Sequence, residues 1–82
     1  QSPWIHDNTI SDVPYGVWFE GEGTIEGNTI TDATWGIYLN GTGAPSVTGN
    51  SVTGNSYPIY QGRSDPSYSG NNFSGNTNSE ML

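Results

Sequence analysis

The chain has 82 residues, a formal net charge of −7 and no cysteine. One domain with a small core is the most that this length allows. Eight acids stand against the single Arg63, with no lysine, a balance that repels phosphate backbones and anionic bilayers, so neither nucleic acid nor a membrane is an expected partner. Without cysteine there is neither a disulfide nor a thiolate metal site. The composition is rich in Gly, Asn, Ser and Thr, but 12% aromatic content together with many Ile and Val residues argues against disorder. No apolar run reaches the length of a signal peptide or a membrane span, so the sequence reads as a mature chain or a piece of a longer one. A lysine-free surface of this kind fits an exported protein, whether extracellular, cell-surface or periplasmic.

Taken from the first residue onward, the chain repeats itself. "WIHDNTISDVPYGVWFEGEG" (4–23) aligns with the segments that open at Thr24 (24–45), Ser46 (46–66) and Ser67 (67–82). Each copy carries an anchoring asparagine, Asn8, Asn28, Asn50 and Asn71, at spacings of 20, 22 and 21 residues. Three residues before it stand Ile5, Ile25, Val47 and Tyr68, and two residues after it Ile10, Ile30, Val52 and Phe73. Further on come Val17, Ile37 and Ile59, then Phe19, Leu39 and Gln61. Alternation in the later part of each copy has period two, placing Val17 and Phe19 on one face and Trp18 and Glu20 on the other. Gly, Asn and Pro break the apolar runs too often for a helix. Short strands recurring every 21 residues or so predict a coil in which each strand lies on its equivalent one turn away, at about 4.8 Å. The apolar columns then line a narrow interior, and the four asparagines form either an internal amide ladder at a corner or a row of surface turns. The irregular spacing disfavours a hexapeptide left-handed coil, and two leucines are too few for a leucine-rich repeat. The last copy weakens after Asn76: an apolar position falls on Glu80, or on Met81 after a one-residue slide.

With these columns laid out, "IHDNTISDVPYGVWF" (5–19) and "IEGNTITDATWGIYL" (25–39) resemble the repeats of right-handed parallel β-helix proteins of the pectin-lyase-like superfamily. The resemblance implies an all-β, right-handed parallel β-helix of about four rungs over 1–82, a fragment of a longer coil. It covers polysaccharide lyases and hydrolases, epimerases, phage tailspikes, surface adhesins and a periplasmic copper-processing family, so it specifies the coil and leaves the activity open.

Candidate chemistry lies on the outward positions. Trp18, Tyr38 and Tyr60 follow the inward Val17, Ile37 and Ile59, and such a column of rings can stack on sugars while Glu20 and Asn40 take hydroxyls; the alternative is a wall covered by a loop or a partner. Tyr15, Trp35 and Tyr57 form a second column, expected at a corner against the turn. Asp12 and Asp32 align, and with Asp7 and Glu26 offer weak candidates for calcium, against the simpler reading of solvated turn acids. Lyase or epimerase chemistry needs a base beside a uronate and a group that neutralises the carboxylate, but His6 and Arg63 fall on different walls and no paired-Asp, Gly-His-Gly or Asp-Pro-His motif occurs. Copper needs soft or imidazole donors, and His6 and Met81 lie at opposite ends. The sequence therefore points to a non-catalytic carbohydrate-contacting or structural module without a required cofactor. The alternatives are a fragment of a lyase or epimerase with its catalytic residues elsewhere, and an assembly or adhesion scaffold that meets the rest of a longer chain, or another copy, end to end.

Overall fold

A computed structural model describes residues 3–78. The elements are β1 (Trp4–His6), β2 (Thr9–Ser11), β3 (Tyr15–Glu20), β4 (Thr24–Glu26), β5 (Thr29–Thr31), β6 (Trp35–Asn40), β7 (Ser46–Thr48), β8 (Ser51–Val52), β9 (Tyr57–Tyr60) and β10 (Ser67–Ser69). Every pairing is parallel, and the strands build three walls in the orders β1-β4-β7-β10, β2-β5-β8 and β3-β6-β9. The chain is an all-β parallel solenoid. Three complete turns are described, and a fourth opens with β10 and a bridge from Ser51 to Asn72. The positions of Glu80 and Met81 lie outside the described residues.

The register is the one that the repeats set. Ile5 lies on Ile25, Ile25 on Val47 and Val47 on Tyr68; Ile10 lies on Ile30 and Ile30 on Val52; Val17 lies on Ile37 and Ile37 on Ile59. A slip of one residue would turn each of these side chains to solvent. Ile25, Ile30, Ile37, Val47, Val52 and Ile59 are fully buried, with Val17, Phe19 and Leu39 nearly so. Each such side chain stabilises the fold by about 1.5–3 kcal/mol, which in a coil this narrow is the main apolar contribution.

Both corners between the short strands turn through the left-handed region. Asp7, Gly27, Gly49 and Gly70 take φ of 57°, 67°, 61° and 67°, and Asp12, Asp32, Gly54 and Gly75 take 59°, 58°, 71° and 74°. Only Gly, Asn and Asp adopt this conformation readily, which accounts for the residue types in those columns.

Immediately after the first corner runs the asparagine ladder. The main-chain N and Nδ2 of Asn8 both donate to Oδ1 of Asn28, at 3.0 Å each. Asn28 donates likewise to Asn50, at 2.9 and 3.0 Å, and Asn50 to Asn71, at 2.9 Å each. The second Nδ2 hydrogen of Asn28, Asn50 and Asn71 reaches the carbonyl oxygens of Ile5, Ile25 and Val47. The internal ladder is thus correct for these four residues, and it satisfies polar atoms that the buried corner would otherwise strand.

A second ladder follows the second corner. Asn55 donates from N and Nδ2 to Oδ1 of Asn76, and its own Oδ1 accepts from the main-chain N of Ala33 at 2.8 Å. Asn55 is 1% exposed. No buried side-chain nitrogen or oxygen is left without a partner among the described residues.

Candidate functional site: the aromatic wall

The wall of β3, β6 and β9 carries six outward aromatic side chains, and local backbone geometry explains how. A Cβ built on Gly16 would sit 2.5 Å from the Gly36 oxygen and 2.5 Å from an Ile30 methyl, so Gly16 faces the interior, as does the Val17 that follows it. Gly36 and Pro58 repeat this in the next two rungs, both buried. Two successive inward residues interrupt the alternation, so Tyr15 and Trp18, three residues apart, emerge on the same outer side.

Trp18, Tyr38 and Tyr60 stack in register, with ring centroids 4.6 and 4.4 Å apart and planes inclined by 22° and 12°. Trp35 stacks on Tyr57 at 4.3 Å and meets Tyr38 and Tyr60 edge to face at 5.8 and 5.5 Å. Tyr15 meets Trp18 and Tyr38 edge to face at 4.9 and 5.1 Å. Such pairs each contribute about 0.5–1.5 kcal/mol beyond the burial of area. Trp35 is therefore a half-buried member of the outer wall and not a separate corner residue. Desolvation, followed by the neighbouring Tyr60 and Tyr15 phenols, raises the Tyr38 pKa above its ordinary value.

Stacking along the coil axis turns most ring faces toward one another and leaves edges toward solvent. The first rung is the exception: Trp18 is 49% and Tyr15 41% exposed. Past Trp18, Glu20 lies directly on Asn40. Nδ2 of Asn40 donates to Oε2 of Glu20 at 3.0 Å, and Nε1 of Trp18 reaches the same oxygen at 3.5 Å. The structure thus gathers Trp18, Tyr38, Tyr60, Glu20 and Asn40, the residues singled out for glycan contact, on one open face. Tyr15, Trp35 and Tyr57 join them.

The remaining candidates are scattered. Trp4, 59% exposed, stacks on His6 at 3.7 Å and donates from Nε1 to Glu26 at 3.0 Å, all on the first wall. His6 Nδ1 lies 3.1 Å from Asp7 Oδ2. Asp12 and Asp32 are exposed at left-handed corners, so their column has a backbone reason, the same one that puts Gly54 and Gly75 below them. Among the described residues no three His, Asp or Glu side chains converge to hold a cation, and no pocket is present. This bears on calcium at Asp12 and Asp32 and equally on copper. A copper site would be drawn from imidazole, thiolate or thioether donors, and here one imidazole, paired with one carboxylate, is what the described residues offer. Among the described residues the donor set does not fit a protein-held copper ion. Arg63 is exposed between β9 and β10, away from the first-wall His6.

No curated protein and no solved structure matches the chain significantly. A family model does, over residues 1–82, and its description is Periplasmic copper-binding protein (NosD). Match length, repeat pattern and parallel coil agree: the chain belongs to the NosD family.

Proposed function

We propose that this chain is an exported β-helix module that contacts polysaccharide through its aromatic wall and carries out no bond-breaking chemistry of its own. The observation that carries the reading is a contrast between walls that meet the same geometric demands. On the second wall the outward residues are Thr9, Ser11, Thr29, Thr31 and Ser51, none of them aromatic. On the third wall six outward positions are Tyr or Trp. The coil forms with Ser and Thr outside, so it does not require rings there, and exposed aromatic strips mark contact surfaces. The exposed Trp18 and Tyr15 of the first rung, with Glu20 and Asn40 beside them, suit sugar C–H faces and hydroxyls, and the acid balance selects neutral or amino-bearing glycans over polyuronates. The family's description supports a periplasmic or otherwise exported location. Copper binding, which the same description names, finds no donor set on the described residues and is not the role assigned to them.

The test is a panel of neutral, amino and acidic polysaccharides read by tryptophan fluorescence, with Trp18→Ala as control. A saturable change with neutral or amino glycans that Trp18→Ala abolishes is the expected result. No ligand-dependent change across the panel would remove the glycan reading. Release of oligosaccharide by the isolated chain would instead show catalysis and overturn the non-enzymatic part.

A further inference from the structure

We propose that Asn40 is a site of spontaneous deamidation, built at the rim of the aromatic wall. Asn40-Gly41 is the one Asn-Gly step in the chain; every other asparagine precedes Thr, Ser, Asn or Phe. Ring closure requires the following main-chain nitrogen to swing onto the asparagine side chain, which a residue without Cβ obstructs least. Gly41 sits just beyond the end of β6 with φ +81°, and a Cβ placed there would meet nothing within 4 Å. Room for the rotation is therefore present.

Asn8 and Asn78 are bound through Nδ2, as Asn40 is, but precede Thr and Ser, whose Cβ obstructs ring closure; the other six are held through Oδ1. Oδ1 of Asn28, Asn50, Asn71, Asn55 and Asn76 accepts ladder hydrogen bonds, and the corresponding Nδ2 donates to main-chain carbonyls. Oδ1 of Asn72 accepts from the N and Oγ of Ser74. Asn40 is bound instead through Nδ2, the nitrogen that departs, to a single surface carboxylate.

In the reaction the Gly41 nitrogen forms a bond to Cγ of Asn40. The Cγ–Nδ2 bond breaks, and Nδ2 leaves as ammonia with the proton from the Gly41 nitrogen, closing a succinimide. Water then opens the ring at either carbonyl, giving an aspartyl or an isoaspartyl residue. One ammonia leaves and one water enters, with no oxidant or reductant. The aspartyl product places a carboxylate where Nδ2 donated to Glu20, and like charges directly opposite in a sheet repel; the isoaspartyl product takes Cγ into the main chain and removes the same hydrogen bond while adding the same charge. The same Glu20 oxygen faces Trp18 Nε1, so the modification loosens the rim of the wall. This holds whether or not the wall binds glycan.

The test is incubation of the folded chain in mildly alkaline buffer beside a urea-unfolded sample, followed by peptide mapping with mass spectrometry and isoaspartate detection. Asn40 of the folded chain is expected to convert ahead of every other asparagine, with one added negative charge on isoelectric focusing that Asn40→Gln abolishes. Conversion at another asparagine first, conversion of Asn40 only in the unfolded sample, or none in either, overturns the proposal. Asn40→Asp is expected to lower the melting temperature, with recovery in the Glu20→Gln background; absence of that recovery refutes the like-charge consequence.

Discussion

Replacing Asn50 by alanine tests the ladder as a structural element. The Asn50 side chain, 2% exposed, accepts from N and Nδ2 of Asn28 and donates to Ile25 O and Asn71 Oδ1. Four bonds at a net of about 1 kcal/mol each give about 4 kcal/mol. The stranded main-chain N–H of Asn28, itself buried, adds about 1–3 kcal/mol because its desolvation is no longer offset. A domain of this size has a total stability of roughly 4–12 kcal/mol, so Asn50→Ala removes much or all of it. Position along the coil supplies the control. Asn71→Ala gives up three side-chain bonds, two accepted from Asn50 and one donated to Val47 O, at the half-exposed end of the ladder. Asn8→Ala gives up one, the Nδ2 bond to Asn28, on an exposed rung, for a loss of about 1 kcal/mol. Urea unfolding followed by circular dichroism should rank the losses as Asn50 largest, Asn71 intermediate and Asn8 smallest. Equal losses at Asn50 and Asn8, within about 1 kcal/mol, would refute the claim that the buried amides hold the corner.

Gly36→Ala places a methyl group against a Val52 methyl and 2.6 Å from the Pro58 oxygen; a loss of about 1–3 kcal/mol is expected from overpacking, read as a lower urea midpoint. Burial raises the Tyr68 pKa to about 12 from 10.0, so its stabilising contribution is complete below pH 10 and is lost as pH rises through 12. The partly solvated ring limits this to about 1 kcal/mol, and Tyr68→Phe should delete the highest-pH step of the tyrosinate absorbance titration. Ala33→Asn should extend the second ladder by one rung, since the Ala33 main chain already donates to Asn55 at 2.8 Å; a gain of about 1 kcal/mol is expected, and a lower melting temperature would show that the site is too tight.

What could be read from the sequence was whatever recurs in every turn. Asn8, Asn28, Asn50 and Asn71 recur without exception, and so do the apolar residues around them, so the register follows from spacing; the same column left an internal ladder and a row of surface turns both open, and the side-chain bonds decide for the ladder. The second ladder was hidden because its first two rungs hold Val13 and Ala33 in the column of Asn55 and Asn76. An amide column that starts midway has too few copies to stand out. Trp35 was misplaced at a corner for a different reason. Strict alternation puts residues 15 and 18 on opposite faces, and the double inward step at Gly16-Val17 and Gly36-Ile37 cancels that. The signal was present in the repeated Tyr-Gly and Trp-Gly steps: a glycine at which any Cβ would strike backbone marks a close approach and a break in the pleat.

The division between inward and outward columns also reconciles the family with the wall. Inward columns answer to the coil: each must fit the residue one rung away, and most hold Ile, Val, Leu, Phe or an asparagine whose amide is paired, with Gly16, Gly36 and Pro58 filling the column of closest approach. Outward columns are less constrained by the coil, and on the first wall they diverge. One column of the first wall runs Trp4, Thr24, Ser46, Ser67, and its neighbour runs His6, Glu26, Thr48, Ser69. Membership of a β-helix family is decided by the inward columns, because these recur, whereas binding a metal requires particular donors on the outward ones. A family described by copper can therefore include a stretch of coil with one imidazole and a six-ring wall. On the third wall the outward residues recur as rings for three turns, whereas on the second they recur as Thr and Ser; a coil that accepts Thr and Ser outside does not require rings, and that is the physical ground for the contact surface proposed on the third wall.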